Sequence, residues 1–167
     1  MNNRNYYIHL LILCIIQILI LNHVHIGSYF YINIYILALY VLPHKVKGIV
    51  SLLIGFLLGG LIDLSCNTLG IHAAASTFVA YLRPYLSRDM NEETEEYTQN
   101  NSKTLELGWF FQYTLLSTFL FHIILVFLEA FSFREIGTTL LRVIASTFIS
   151  EIFIMLYYFI CLKENKK

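Results

Sequence analysis

The chain has 167 residues, of which 57% are hydrophobic and 13% are charged, and its formal net charge is zero. So few charged side chains cannot cover the surface of a soluble domain of this size, and the composition therefore indicates an integral membrane protein. Without excess positive charge, no nucleic acid is expected as a partner. Cys14, Cys66 and Cys161 show no paired spacing, which argues against a disulfide framework and a zinc site, and no cofactor is expected.

Six apolar segments are predicted to cross the membrane as α-helices, because each approaches the roughly 20 residues that span a hydrocarbon core. The second and the fourth segments are short for this role. The predicted fold is all-α, a polytopic bundle of about six transmembrane helices that forms one integral membrane domain over residues 1–167. The predicted spans are Tyr6–Leu21, Tyr29–Leu42, Ile49–Cys66, Ile71–Leu86, Trp109–Phe131 and Ile136–Leu162.

The lysine and arginine residues indicate how these spans are oriented. Nine of the eleven basic residues fall on one side of the predicted membrane, and cytoplasmic loops are enriched in such residues. Both termini are therefore predicted to face the cytoplasm, in a multi-pass protein of the cytoplasmic (inner) membrane. Arg134 falls on the opposite side, and Arg142 lies within the sixth span. The nine residues are Arg4, Lys45, Lys47, Arg83, Arg88, Lys103, Lys163, Lys166 and Lys167.

One polar connection, residues 87–108, separates the fourth and fifth predicted spans. Its sequence, "SRDMNEETEEYTQNNSKTLELG", is acidic and poor in apolar residues. It could be a docking loop for a cytoplasmic partner or a solvated, partly disordered linker. The composition favours the linker, because a polar and charged segment of this kind has little apolar surface to bury.

The third predicted span carries glycines on one face. Gly55 and Gly59 lie eight and four residues before Asp63, so the three residues share a helical stripe. Glycines four residues apart let another helix approach closely, because no Cβ intervenes, and the small residues 73–76 of the fourth span offer a matching surface. The expected helix-packing or partner interface consists of Gly55, Gly59, Gly60, Asp63, Asn67, Gly70 and His72.

Asp63 lies in an apolar run, where a carboxylate costs about 2.5–3.5 kcal/mol near the bilayer centre and less toward the interface. It therefore needs a partner within the protein. Glu129 and Arg142 are predicted at a similar depth, so Asp63 could pair with Arg142 or share a proton with Glu129. Alternatively, Asn67 and the backbone donors of the following turn could bind Asp63. These charges either fix helix packing or take part in a ligand or partner site.

The remaining polar residues in or beside the spans have no partner that the sequence identifies. Glu151 lies nine residues after Arg142, and at 100° per residue the two side chains leave the sixth span on opposite faces. Glu151 is therefore expected to make a separate contact, within the bundle or with another protein. His23, His25 and His72 are predicted at outer ends of spans, but they lack the ligand spacing that is typical of a metal site.

Three stretches of the sequence occur in an order and spacing that point to a family. They are "LILNHVHI" at the end of the first span, the glycine-rich third span that ends at Asp63, and "NTLGIHAAA" after it. With them, essentially the whole chain resembles the rod shape-determining protein MreD family in its Bacteroidetes-like form. The resemblance implies a fold similar to the substrate-binding subunits of energy-coupling vitamin transporters.

The same resemblance implies a non-enzymatic scaffold in the membrane, part of the cell-elongation machinery that is needed for rod shape and lateral peptidoglycan synthesis. The implied partner is an MreC-like single-span protein, with MreB, RodA and its penicillin-binding protein as further candidates. The alternative is a small-solute-binding membrane subunit of a transporter, because fold does not fix function. In that case an outward-facing polar cluster would hold the ligand, formed by Asp63, Asn67, His72, Glu129 and Arg142.

The distribution of basic residues predicts the topology directly. Reporter fusions placed after Lys167 and within residues 91–101 should both report the cytoplasm, and cysteine labels placed at Ser28 or Thr68 should react from outside. An external C-terminus would contradict the six-span topology.

Overall fold

The computed structural model describes residues 3–21, 31–42, 46–97, 102–130 and 136–162, with the backbone alone at 3–7, 87–97, 102–106 and 162. The regular elements in these ranges are helical, and the predicted all-α bundle is confirmed. The helices are α1 (Asn3–Leu19), α2 (Leu37–Tyr40), α3 (Gly48–Cys66), α4 (Ile71–Tyr97), α5 (Ser102–Ala130) and α6 (Ile136–Tyr157), and α6 continues as a π-helix over Tyr158–Leu162.

Three of the described helices are long and apolar enough to cross a membrane, namely Gly48–Cys66, Leu107–Ala130 and Ile136–Cys161. Their outer faces expose large apolar side chains, such as Leu64 and Phe148, which are 84% and 67% exposed. Contiguous apolar faces of this kind are unfavourable in water and favourable against lipid. The described apolar part of α1, Ile8–Leu19, is shorter than these three helices.

The second predicted span is not a membrane-crossing helix within the described residues 31–42. The chain is helical there only over the four residues of α2, and Tyr31–Ile34 is non-helical. Residues 32–40 are all buried, so this segment runs through the interior of the bundle instead of facing lipid. An apolar composition suits either environment, which is why the sequence pattern predicted a span. Residues 29 and 30 lie outside the described residues.

Residues 31–36, which precede α2, are called the non-helical segment below. The centre of the bundle is formed by side chains of this segment, of α5 and of α6. Tyr35 and Ile36 are fully buried, and the Tyr35 ring packs edge-on against the ring of Phe121 with their centroids 6.0 Å apart. Val143 and Ile154 of α6 are also fully buried and belong to the same apolar cluster. The segment therefore contributes fully buried side chains to the central apolar cluster.

The predicted close approach of the third and fourth spans is confirmed. A Cβ placed on Gly59 would lie 2.4 Å from the His72 carbonyl oxygen and 2.5 Å from Ala73 Cα. A Cβ on Gly55 would lie 2.9 Å from the Ser76 carbonyl oxygen. The backbones of α3 and α4 are therefore in direct contact at these glycines, as in small-residue helix pairs of other membrane proteins.

The polar connection at residues 87–108 is shorter than predicted. The α4 backbone remains helical to Tyr97, and α5 begins at Ser102, so helical structure extends into the connection from both ends. The part of the predicted partly disordered linker that the structure describes is thus helical. Residues 98–101 lie outside the described residues.

The contact at Gly59 predicts that even a methyl group there separates α3 from α4. Gly59→Ala should lower the free energy of unfolding by about 1–3 kcal/mol, because the new Cβ meets backbone atoms that cannot move independently. Gly60→Ala is the matched control, since a Cβ there meets nothing within 4 Å. Denaturant titration in detergent micelles measures both changes. Equal stability of the two variants would contradict the close contact.

Candidate functional site

Asp63 of α3 caps the N-terminus of α4. Its Oδ1 accepts a hydrogen bond from the His72 backbone N–H at 3.0 Å, and its Oδ2 accepts one from the Ala73 N–H at 2.9 Å. The first N–H groups of a helix lack intrahelical partners and carry partial positive charge, so a carboxylate stabilises them. Asp63 thereby performs, from a neighbouring helix, the role of an N-cap residue.

The turn between α3 and α4 completes this arrangement. Asn67 ends α3 in the left-handed conformation, with φ 56°, and Gly70 has φ 82°. This reversal brings the Thr68 hydroxyl to 2.5 Å from Asp63 Oδ1, to which it donates, and His72 Nδ1 to 3.1 Å from the same oxygen. The carboxylate is therefore surrounded by donors from the turn and the first residues of α4.

The proposed pairing of Asp63 with Arg142 is wrong, because the donors around Asp63 come from the turn and from α4. The alternative, binding by the turn, is confirmed in its main feature. The donors differ from those expected, since Thr68, His72 and Ala73 provide them and the exposed Asn67 contributes backbone conformation.

Glu129 and Arg142 form a second charged group, as their similar predicted depth suggested. Arg142 Nη2 lies 3.5 Å from Glu129 Oε2 and donates to the Tyr31 hydroxyl at 3.0 Å. The Tyr31 hydroxyl in turn donates to Glu129, and the guanidinium lies 5.5 Å from the centroid of the Tyr31 ring. This group joins α5 and α6 to the start of the non-helical segment.

The backbone of the non-helical segment is held by side chains of α1 and α6. Gln17 accepts a hydrogen bond from the Ile34 N–H at 2.9 Å and donates to the Ile32 carbonyl at 2.8 Å. Ser146 accepts from the Tyr31 N–H at 3.1 Å, and Ser150 accepts from the Asn33 N–H at 3.0 Å. Side chains thus take the place of the backbone partners that a helix would provide.

A buried polar group that the sequence reasoning missed lies between this segment and α5. His122 is fully buried, its Nδ1 donates to the Thr118 carbonyl at 2.9 Å, and its Nε2 lies 3.3 Å from Asn33 Nδ2. The sequence does carry a signal for such a group, because small polar residues recur at helical spacing within apolar runs. On α5 and α6 the buried residues of this kind are Thr114, Ser117, Thr118, His122, Thr139, Ser146, Thr147 and Ser150.

The distribution of basic residues predicts Arg83 on the cytoplasmic side, but the structure buries its side chain inside the bundle. It is 5% exposed, and its Nη2 donates to the Leu42 carbonyl at the end of the segment that contains α2. One of the nine basic residues that set the predicted orientation is thus also a structural residue.

Glu151 makes the separate contact that its position opposite Arg142 predicted. It is 4% exposed, and its Oε1 lies 2.6 Å from the Thr114 hydroxyl of α5. Its Oε2 is buried without a hydrogen-bond partner among the described residues. This carboxyl group lies at the contact between α5 and α6.

The outer side of the α3–α4 pair carries an open groove of about 750 Å³. Gly60 lines this groove, and a Cβ there would meet nothing within 4 Å, so Gly60 does not contribute to α3–α4 packing as Gly55 and Gly59 do. Gly70 also borders the groove and acts through its backbone conformation. The other lining residues are Leu52, Phe56, Asp63, Leu64, Thr68, Ala73, Ala74, Thr77, Phe78 and Tyr81.

The sequence-predicted residues therefore fall into separate groups. Asp63 and His72 lie together at the turn, Glu129 and Arg142 lie together near Tyr31, and Glu151 is elsewhere between α5 and α6. His23 and His25 lie outside the described residues. Comparison of the chain with protein-family patterns, with curated proteins and with solved structures gave no match. Function is accordingly inferred from the residues and their geometry.

Two double-mutant cycles test this grouping. Asp63→Asn should lower the free energy of unfolding by about 1.5–3 kcal/mol, because the new amide N–H₂ would face backbone donors. Combined with Arg142→Gln, the two losses should add to within about 0.5 kcal/mol, since no hydrogen bond or ion pair between described side chains joins Asp63 to Arg142. Glu129→Gln with Arg142→Gln should instead be non-additive.

The measurement is denaturant unfolding of each purified variant in the same detergent. A coupling energy above about 1 kcal/mol between Asp63 and Arg142 would reject the separation of the two groups, because residues in contact typically show couplings of this size.

Proposed function

We propose that this chain is a non-enzymatic scaffold subunit of the bacterial cell-elongation machinery, needed for rod shape and lateral peptidoglycan synthesis. It acts in the cytoplasmic membrane, with both termini inside, and binds an MreC-like single-span protein. The order of the glycine-rich span, Asp63 and "NTLGIHAAA" supports the proposal through its resemblance to the MreD family. MreB, RodA and its penicillin-binding protein would be reached through the same assembly.

The observation that supports this proposal is that polar side chains of the predicted site already have hydrogen-bond or ion-pair partners within the bundle. Asp63 is bound by its own turn and by α4, and Glu129 is bound by Arg142 and Tyr31. These side chains are engaged in holding the bundle together, and this favours a protein that acts by helix contacts over one that binds a polar ligand.

The partner surface in this proposal is the groove on the outer side of α3 and α4. Gly60 and the exposed Ala74 leave the groove open, and its rim carries Phe56, Phe78 and Tyr81, which are 57%, 38% and 54% exposed. Small residues flanked by large apolar ones allow a transmembrane helix to approach closely and to bury aromatic surface. A single-span partner has one such helix to offer.

The alternative, a small-solute-binding subunit, requires five polar residues to converge on one ligand. Asp63 and His72 bond to each other, Glu129 and Arg142 bond to each other, and Asn67 is exposed at the turn. No hydrogen bond between described side chains joins the two groups. The geometry therefore favours the scaffold.

Filling the groove should weaken partner binding without unfolding the protein. Gly60→Leu places a branched side chain where a Cβ meets nothing within 4 Å, so the bundle should fold while co-purification of the single-span partner falls at least several-fold. Gly137→Leu is the matched control, because Gly137 is also a helical glycine with open space around its Cβ. Undiminished co-purification of the Gly60→Leu variant would place the partner elsewhere.

Depletion in the native organism, followed by microscopy, tests the cellular role. Loss of the protein should turn rods into rounded cells, and the Gly137→Leu variant should restore rod shape while the Gly60→Leu variant should not. Normal rods after depletion would reject the role in elongation.

A further inference from the structure

Glu151 lies near the middle of a helix that can cross the membrane. The apolar run of α6 and its π-helical continuation covers 26 residues, Ile136–Cys161, and Glu151 is residue 16 of these. At 1.5 Å per residue, it lies within about 4 Å of the midpoint of the run. Its side chain is 4% exposed. An ionisable side chain at this depth is expected to have a function and an identifiable partner.

Three acidic side chains within the described part of the chain have very different surroundings. Asp63 is bound by backbone N–H groups, a hydroxyl and His72, and Glu129 is bound by Arg142 and Tyr31. Glu151 has only neutral hydroxyl groups beside it, those of Thr114 and Thr118, and its Oε2 is buried without a hydrogen-bond partner among the described residues. The ion pairs of the described residues do not include Glu151. An ionised carboxylate would be unpaired here.

The Thr114 hydroxyl has more short oxygen contacts than its single hydrogen can serve. The Thr114 Oγ1 lies 2.9 Å from the Phe110 carbonyl oxygen, 3.1 Å from the Phe111 carbonyl oxygen and 2.6 Å from Glu151 Oε1. A threonine hydroxyl has one hydrogen, whereas an ionised Glu151 would make all three neighbours acceptors. One additional hydrogen, on Glu151, lets two of these three short contacts be hydrogen bonds at the same time. A protonated Glu151 donates to Thr114 Oγ1, and Thr114 then donates to a carbonyl of its own helix.

Other buried ionisable groups form hydrogen bonds away from Glu151, and the ion pairs among the described residues do not join any of them to it. The hydroxyl of Tyr40, beside α5, lies 3.1 Å from Thr118 Oγ1. On α5, His122 donates to the Thr118 carbonyl, and on α4 Arg83 donates through Nη2 to the Leu42 carbonyl, while its Nε is buried without a hydrogen-bond partner among the described residues. The hydroxyl of Thr118 lies next to the Glu151 carboxyl and is itself neutral.

We propose that Glu151 is a proton-binding site in the membrane interior, where it holds a proton as a neutral carboxylic acid and donates it to Thr114 Oγ1. The ligand of this site is the proton itself. The bound proton links α6 to α5, and its loss would leave an unpaired carboxylate near the middle of the span. This inference does not depend on the role in cell elongation, since it concerns the bundle alone.

Infrared spectroscopy of the purified full-length protein with ¹³C-labelled glutamate side chains tests the proposal, because the carbonyl stretch of a carboxylic acid is separate from the stretches of a carboxylate. The wild-type protein at neutral pH should show a carboxylic acid band, and Glu151→Gln should abolish it. Gln can replace a protonated Glu as donor and acceptor, so this variant should fold. Glu129→Gln is the matched control and should keep the band.

Thr114→Val provides an independent assignment with the acid left in place. It preserves the shape of the side chain and removes the hydroxyl, so the carboxylic acid band should move to higher wavenumber as the hydrogen bond is lost. The proposal is overturned if Glu151→Gln removes a carboxylate band, or if the wild-type protein has no carboxylic acid band. A band that does not move in Thr114→Val overturns the assigned donor to Thr114.

Discussion

The bundle depends on satisfying the backbone of one buried, non-helical segment. An unpaired peptide N–H or carbonyl in apolar surroundings costs roughly several kcal/mol. Helices and closed barrels avoid this cost because their backbone groups bond to one another. Gln17 bonds both a donor and an acceptor of the segment, and Ser146 and Ser150 each accept an N–H. Removing any of these side chains would leave buried backbone groups unpaired. The positions of α1 and α6 follow from this requirement.

The charged side chains divide by the kind of partner that each one has. Asp63 stabilises a helix terminus, and Glu129 and Arg142 stabilise each other and a tyrosine, so these charges are matched by fixed donors or by an opposite charge. Among the described residues, Glu151 has neutral threonine hydroxyls beside it and no opposite charge, and neutralisation by a proton, as proposed above, would match it to these surroundings. The polar interior therefore stabilises the bundle, and the outer face of α3 and α4 presents an open groove with exposed apolar side chains.

Much of this could be predicted from the sequence, because apolar periodicity, glycine spacing and the 100° helical step are local properties. They gave the principal helices, the contact at Gly59 and the separate environment of Glu151. The partner of Asp63 could not be predicted from depth alone, since the left-handed Asn67 decides that α4 starts beside the carboxylate. The course of residues 31–42 was also beyond the sequence, because its partners are single serines and one glutamine on distant helices.

The hydrogen bonds of the non-helical segment also constrain the order of assembly. The partners of Tyr31 and Asn33 are 115 and 117 residues later in the chain, whereas the α3–α4 pair is closed by contacts about ten residues apart, such as Asp63 with Ala73. Local contacts form early and distant ones late. The contacts of the α3–α4 pair can thus form before the backbone of the buried segment meets its partners on α6.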